Sequence, residues 1–162
     1  MFERFDKQSG VVVEQAWEEA TALGATRIEA EHLMLALSRH PAWDAGRVLA
    51  EVGLDHEGLI HALDAGLERS LAAVGFDATA FGLADRPIPP TGQPRMGTSA
   101  KRALHSALVI VKARGDRSIL PTHILLGALR AAEGTVPRAL ATVGVDITSL
   151  AANAVATLGD PS

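Results

Sequence analysis

Hydrophobic residues recur along this chain at three- and four-residue spacing, the pattern of helices that each bury one side. Val13, Ala16, Trp17, Ala20 and Leu23 form one such stripe, and Leu104, Ala107, Leu108 and Val111 form another. Gly24 and Gly115 stop these helices. A second helix opens near Glu29 in one place and at Pro121 in another, where a first-turn proline loses no hydrogen bond. Leu33, Leu37, Ile124, Leu125 and Leu129 face inward on these helices. Third helices, over about 44–52 and 135–143, end at Gly53 and Gly144, positions suited to a left-handed C-terminal residue. Asp55 and Asp146 then supply N-cap oxygens for fourth helices.

These elements come in pairs because the chain repeats itself. The phrases AEHLMLAL (30–37) and PTHILLGAL (121–129) align His32 with His123 at an offset of about 91, and the alignment needs no gap. Ala16 falls on Ala107, Gly24 on Gly115, Ile28 on Ile119, Leu49 on Leu140, Gly53 on Gly144 and Leu59 on Leu150. The pattern predicts an all-α fold, a single domain over 1–162 made of two four-helix repeats, 7–68 and 98–159. A rotation near 180° should relate the repeats, and both histidines should be buried. Residues 70–97 are rich in Gly and Pro, have no period and form the linker. Phe76 and Phe81 within it either pin the linker to the core or cover a contact surface.

Composition narrows the choice of function more than that of fold. About half the residues are apolar and about a fifth charged, with formal net charge -4, which argues against a general nucleic-acid binder. The twelve arginines look scattered. No apolar run reaches the roughly 18 residues of a membrane helix, and the first residues lack a signal-peptide pattern, so a cytoplasmic protein is expected. Without cysteine there is no thiolate catalysis or zinc–thiolate site.

Catalytic chemistry finds little to work with. His32 and His123, among apolar neighbours, read as hydrogen-bonded core residues. His56 and His61 are five apart and fall on different helix faces, and no H-E-x-x-H or carboxylate cluster completes a metal site, so no metal is expected. Neither G-x-S-x-G nor G-x-x-x-x-G-K-[ST] occurs, which leaves no activated nucleophile and no phosphate cradle. Glu18 and Glu19 read as a solvated pair. A non-enzyme without cofactor is expected, a small hydrolase using His and Glu being a distant alternative.

MFERF at the start, VVV and EEA on the first helix, the EH-Leu-Met-Leu phrase and the VLAEVGLD close of the first repeat resemble the N-terminal domain of Clp ATPases, especially the ClpC type. The resemblance covers nearly the whole chain and implies an all-helical pseudo-twofold domain that recruits adaptors and substrates. In that family ATP hydrolysis belongs to separate AAA+ modules. The family's paired glutamates, which in some ClpC proteins help hold phosphoarginine, are represented by Glu31 alone, Thr122 standing in the second repeat. The family's aromatic at the start of the second unit aligns with Met96 and its neighbouring lysine with Lys101, while Gly10 replaces a basic residue.

The expected working surface is an apolar edge flanked by charge, built from Phe2, Phe5, Val13, Met96 and Lys101, with Glu31 as a separate acidic site. The expected partners are Clp unfoldase or protease components, adaptors or substrate peptides, and cyclic-peptide antibiotics of the kind that target such domains, with no nucleic acid and no membrane. The leading expectation is a stand-alone binding module, an adaptor-like regulator or a decoy that sequesters ligands. The alternative is the recognition domain of a longer ClpC-type unfoldase.

Overall fold

A computed structural model of the protein describes residues 2–75 and 94–160. Its helices are α1 (Lys7–Ala22), α2 (Ala30–Ser38), α3 (Asp44–Glu51), α4 (His56–Ala73), α5 (Thr98–Arg114), α6 (Pro121–Leu129), α7 (Thr135–Thr142) and α8 (Ile147–Leu158). The offset seen in the sequence governs all four pairs: 98 − 7, 121 − 30, 135 − 44 and 147 − 56 each give 91. Gly24, Gly53, Gly115 and Gly144 take positive φ of 71°, 77°, 79° and 76°, the left-handed turns that end the first and third helices of each unit. Asp55 Oδ1 accepts the Gly58 N–H at 2.8 Å and Asp146 Oδ1 the Thr148 N–H at 3.0 Å, so each fourth helix starts on an aspartate cap.

The repeated phrase forms the middle of the molecule. Every residue of α6, and every residue of α2 but Glu31, is buried, as befits helices apolar on all sides, and the two pack on each other. Their histidines do structural work. His32 Nδ1 accepts the Glu29 N–H at 2.8 Å, and His123 Nδ1 the Leu120 N–H at 2.9 Å, so each ring satisfies a backbone donor at the mouth of its own helix.

The units are laced together reciprocally. Strand β1 (Arg27–Ile28) pairs in parallel with β2 (Arg95–Met96), Ile28 opposite Met96. Phe5 makes the matching bridge to Ile119. The offset carries Phe5 onto Met96 and Ile28 onto Ile119, so each unit lends the segment before its first helix to the segment before the other unit's second helix. Helices follow the same exchange, α4 packing on α7 and α3 on α8. Gly66 allows the first contact to be close, since a Cβ there would sit 3.0 Å from Ala139 Cα. Such mutual pairing is what a twofold relation between units requires. Periodicity gave no sign of these strands, which are too short to show any.

Three details differ from expectation. The buried side of α1 carries Ser9, Val12, Ala16, Glu19 and Ala20, which leaves Val13 half-buried and Trp17 37% exposed. The run Val11-Val12-Val13 fits either register by hydrophobicity alone. Second, α4 continues to Ala73 and β2 occupies 95–96, so ordered elements extend into both ends of the segment 70–97. Third, Glu19 is no solvated residue but is 2% exposed. Phe76, Phe81 and the side chain of Phe2 lie outside the described residues. Among the described residues no single helix is long and apolar enough to cross a membrane.

Candidate functional site: an open cleft on the second unit

The N-terminal half of α5, the turn from α6 into α7 and the start of α2 enclose a cleft of about 1290 Å³. Its floor is small and apolar, with Ala103, Ala128, Ala131, Val136 and Pro137. Its walls carry Lys101, Arg102, His105, Arg130 and Arg138, together with Glu29, Glu31 and Glu133. The arginines that looked scattered in the sequence are thus partly gathered here, because α5, α6 and α7 converge.

Glu29 shows how the second unit depends on the first. Its Oε2 accepts the Ser99 N–H at 3.1 Å and bonds the Ser99 hydroxyl, capping α5 from the opposite unit. A Cβ on residue 97 would lie 1.9 Å from Glu29 Oε1, so Gly97 makes room for this carboxylate. In the first unit Asp6 does the same task locally, its Oδ1 accepting the Ser9 N–H at 2.7 Å.

Glu31 sits half-buried at the second position of α2. Burial raises its pKa above the ordinary 4.5, the charge of Glu29 adds to this, and a backbone hydrogen bond and Arg138 oppose it. It also borders a second hollow of about 550 Å³, beside His32, Ala25, Ile60 and Leu63. Lys101 and Glu31 therefore both line this cleft. Phe5, Val13 and Met96 do not line it. Phe5 is half-buried beside Ile119 and Met96 half-buried beside Ile28, each packed on the core through the reciprocal strand pairs.

The polar clusters elsewhere are structural. His123 has both nitrogens committed: Nδ1 accepts from Leu120, so Nε2 carries the proton and donates to Asp116 Oδ2 at 2.9 Å. Asp116 Oδ2 also accepts from Arg114 Nε at 2.8 Å. Burial lowers the pKa of His123, and of His32, below 6.5, although Asp116 pulls against this at His123. With no lone pair to spare and no exposure, His123 has no means of activating a nucleophile. Glu19 bonds Arg39 Nε and lies 2.7 Å from His56 Nε2, tying α1 to α2 and α4. Among the described residues no three His, Asp or Glu side chains gather as metal ligands would.

The fold is a helical domain of two repeated units, with an open, charged cleft on the second. Residues 95–160 match the Clp repeat (R) N-terminal domain family. Over 160 residues, 99% of its length, the chain is 29% identical to the ClpA homolog of the Clp protease ATP-binding subunit from Guillardia theta, and over 166 residues it is 26% identical to ClpC of Staphylococcus epidermidis. It spans 18% of the length of either relative. Among solved structures, the N-terminal domain of ClpD from Arabidopsis thaliana superposes with TM-score 0.68 at 21% identity, covering 98% of this chain and 96% of that one. The Hsp104 N-terminal domain from Candida albicans gives 0.66 at 16%, covering 97% and 95%. Residues 95–160 thus carry a Clp repeat, and nearly the whole chain is similar to part of the ClpC and ClpA subunits.

Proposed function

We propose that this domain is a non-catalytic polypeptide-recognition module of a Clp proteolytic system, acting alone as an adaptor-like regulator or as a decoy that sequesters peptide-like ligands. The observation that carries the reading is an open, charged cleft on a domain that is similar over nearly its whole length to ClpC and ClpA subunits and matches a Clp repeat N-terminal domain over residues 95–160. Its partners would be Clp unfoldase or protease components, adaptors, substrate peptides and cyclic-peptide antibiotics. Phe2, Phe5, Val13 and Met96 would offer apolar anchors next to Lys101, and Glu31 a separate hydrogen-bonding site for the guanidinium of a phosphoarginine. A second reading, the recognition domain of a longer ClpC-type unfoldase, is favoured by the 18% share of the relatives that the chain spans.

Calorimetric titration tests the proposal. Phe2→Ala should weaken a cyclic-peptide Clp inhibitor by roughly 1–2 kcal/mol, because interface energy concentrates in large anchors. Glu31→Gln should spare that ligand and weaken phosphoarginine, through loss of a charge-assisted hydrogen bond. Unaltered cyclic-peptide affinity in a folded Phe2→Ala variant would put the apolar anchors elsewhere.

A further inference from the structure

The two units place arginines at matching positions and treat them differently. In the first unit Arg39 bonds Glu19 and approaches Glu18 at 3.5 Å, while Arg47 contacts Asp44 at 3.1 Å and Glu51 at 3.8 Å. The offset carries Arg39 onto Arg130 and Arg47 onto Arg138, so the cations are repeated. It carries their four acidic partners onto Val109, Ile110, Thr135 and Thr142, so the acids are not. Arg130 and Arg138 are exposed and have no ion pair among the described residues, and the same is true of Lys101 and Arg102, whose counterparts are Gly10 and Val11.

The space in front of these cations differs as well. In the first unit His40 stacks on Trp43 with ring centroids 3.7 Å apart, and His40 Nε2 lies 2.6 Å from Gln15 Oε1. The corresponding residues of the second unit are Ala131, Gly134 and Ser106, all of them lining the open cleft. One unit fills with its own side chains the place that the other leaves empty. Of the three acids on the cleft, Glu29 is held by Ser99, burial disfavours the charged form of Glu31, and Glu133 is exposed but outnumbered by Lys101, Arg102, Arg130 and Arg138.

We propose that this cleft is a docking groove for an acidic segment of another polypeptide, whose carboxylates replace the glutamates and aspartate that pair with Arg39 and Arg47 in the first unit. Guanidinium groups outside any internal ion pair recognise carboxylates through paired N–H donors, and a lining of alanine, valine and proline lets an extended backbone lie close. The lining offers no Phe, Trp or Tyr on which bases could stack, and the net charge of -4 lacks the basic excess of a nucleic-acid binder, so a peptide is favoured over an oligonucleotide. The groove is distinct from the apolar anchors proposed above and rests only on the reading that the domain binds polypeptides.

The test is fluorescence anisotropy with a labelled peptide of alternating Glu and Ala, its Gln–Ala analogue, and oligothymidylate of equal charge, at low and moderate salt. The Glu–Ala peptide should bind at least about ten-fold tighter than its neutral analogue and weaken as salt rises. Arg130→Gln with Arg138→Gln should weaken it about ten-fold or more, whereas the charge-matched pair Lys112→Gln with Arg117→Gln, outside the cleft, should change it less than about two-fold. Thr135→Asp with Thr142→Glu, which restores the acids found beside Arg47, should also weaken the peptide several-fold without lowering the unfolding midpoint, since the first of the new carboxylates would sit in the opening turn of α7. The proposal is overturned by equal affinity for the two peptides, by equal losses in the two arginine and lysine double variants, or by tighter binding of oligothymidylate. Phe2→Ala should leave Glu–Ala binding unchanged, which separates failure of this groove from failure of the apolar surface.

Discussion

Arg39 and Arg130 occupy the same place in two copies of one design, yet the first is tied to the buried Glu19 and the second has no ion pair among the described residues. The difference lies in their neighbours: Glu19 on α1 became Ile110 on α5, and the hollow beyond was filled by Trp43 in one unit and left to Gly134 in the other. Similar helices at constant spacing therefore do not imply similar surfaces. The first unit uses this pair of arginines for internal cohesion, and the second keeps its pair available.

The sharpest way to break this contrast is to remove each arginine in turn. Arg39→Ala would leave Glu19, 2% exposed, with only His56 beside it. The expected loss is about 2–3 kcal/mol, below the usual range for breaking a buried pair because Arg39 is itself about a third exposed. Arg130→Ala should cost less than about 0.5 kcal/mol, as for an ordinary surface position. Denaturant unfolding of both variants measures the difference; equal losses would refute the contrast.

A somewhat smaller difference is expected between the histidines. His123→Ala removes a donor to the buried Asp116 as well as the acceptor for Leu120, and about 2–3 kcal/mol should be lost; His32→Ala, with Ala25 at the position matching Asp116, should lose about 1–2 kcal/mol. Both rings have a folded-state pKa lowered by burial. The unfolded chain therefore binds protons that the folded one refuses, and stability should fall as pH drops below about 6.5. A double alanine variant should flatten that part of the stability profile.

The smallest effect concerns Glu31. Its raised pKa means the folded state binds its proton more tightly than the unfolded state, so its contribution to stability is greatest at acid pH and declines as pH rises through the folded value. Glu31→Gln should thus be neutral or stabilising by up to about 0.5 kcal/mol at pH 7, with no gain near pH 4. Thermal unfolding at the two pH values measures it, and a marked loss at pH 7 would mean that Arg138 or another cation outweighs burial.

Much of this architecture could be read before any coordinates. Gly24, Gly53, Gly115 and Gly144, the aspartates before the fourth helices and the offset between the two phrases locate all four helix pairs, because turns and caps demand particular residue types at particular places. Buried histidines followed from their apolar neighbours. Glu19 was not legible, since Arg39 and His56 come 20 and 37 residues later and α1 alone gives no hint of them. The cleft is hidden from the sequence for a related reason: Lys101 and Glu31 stand out one at a time, whereas Arg102, Arg130 and Arg138 come together only in a fold that joins α5, α6 and α7. Comparing the offset partners of Arg39 and Arg47 would have exposed the missing acids.

The strand exchange between Phe5 and Ile119, and between Ile28 and Met96, also sets a timetable for synthesis. A ribosome adds about 5–20 residues per second, so Phe5 is synthesised roughly 6–23 s before Ile119, the residue it must pair with. During that interval the edge at Phe5 has no native partner, and its closure joins residues far apart in sequence, the class of contact that slows folding. The N-terminal segment is accordingly among the last parts of the molecule to be secured, and until then a nascent chain presents an open strand edge to whatever binds such edges.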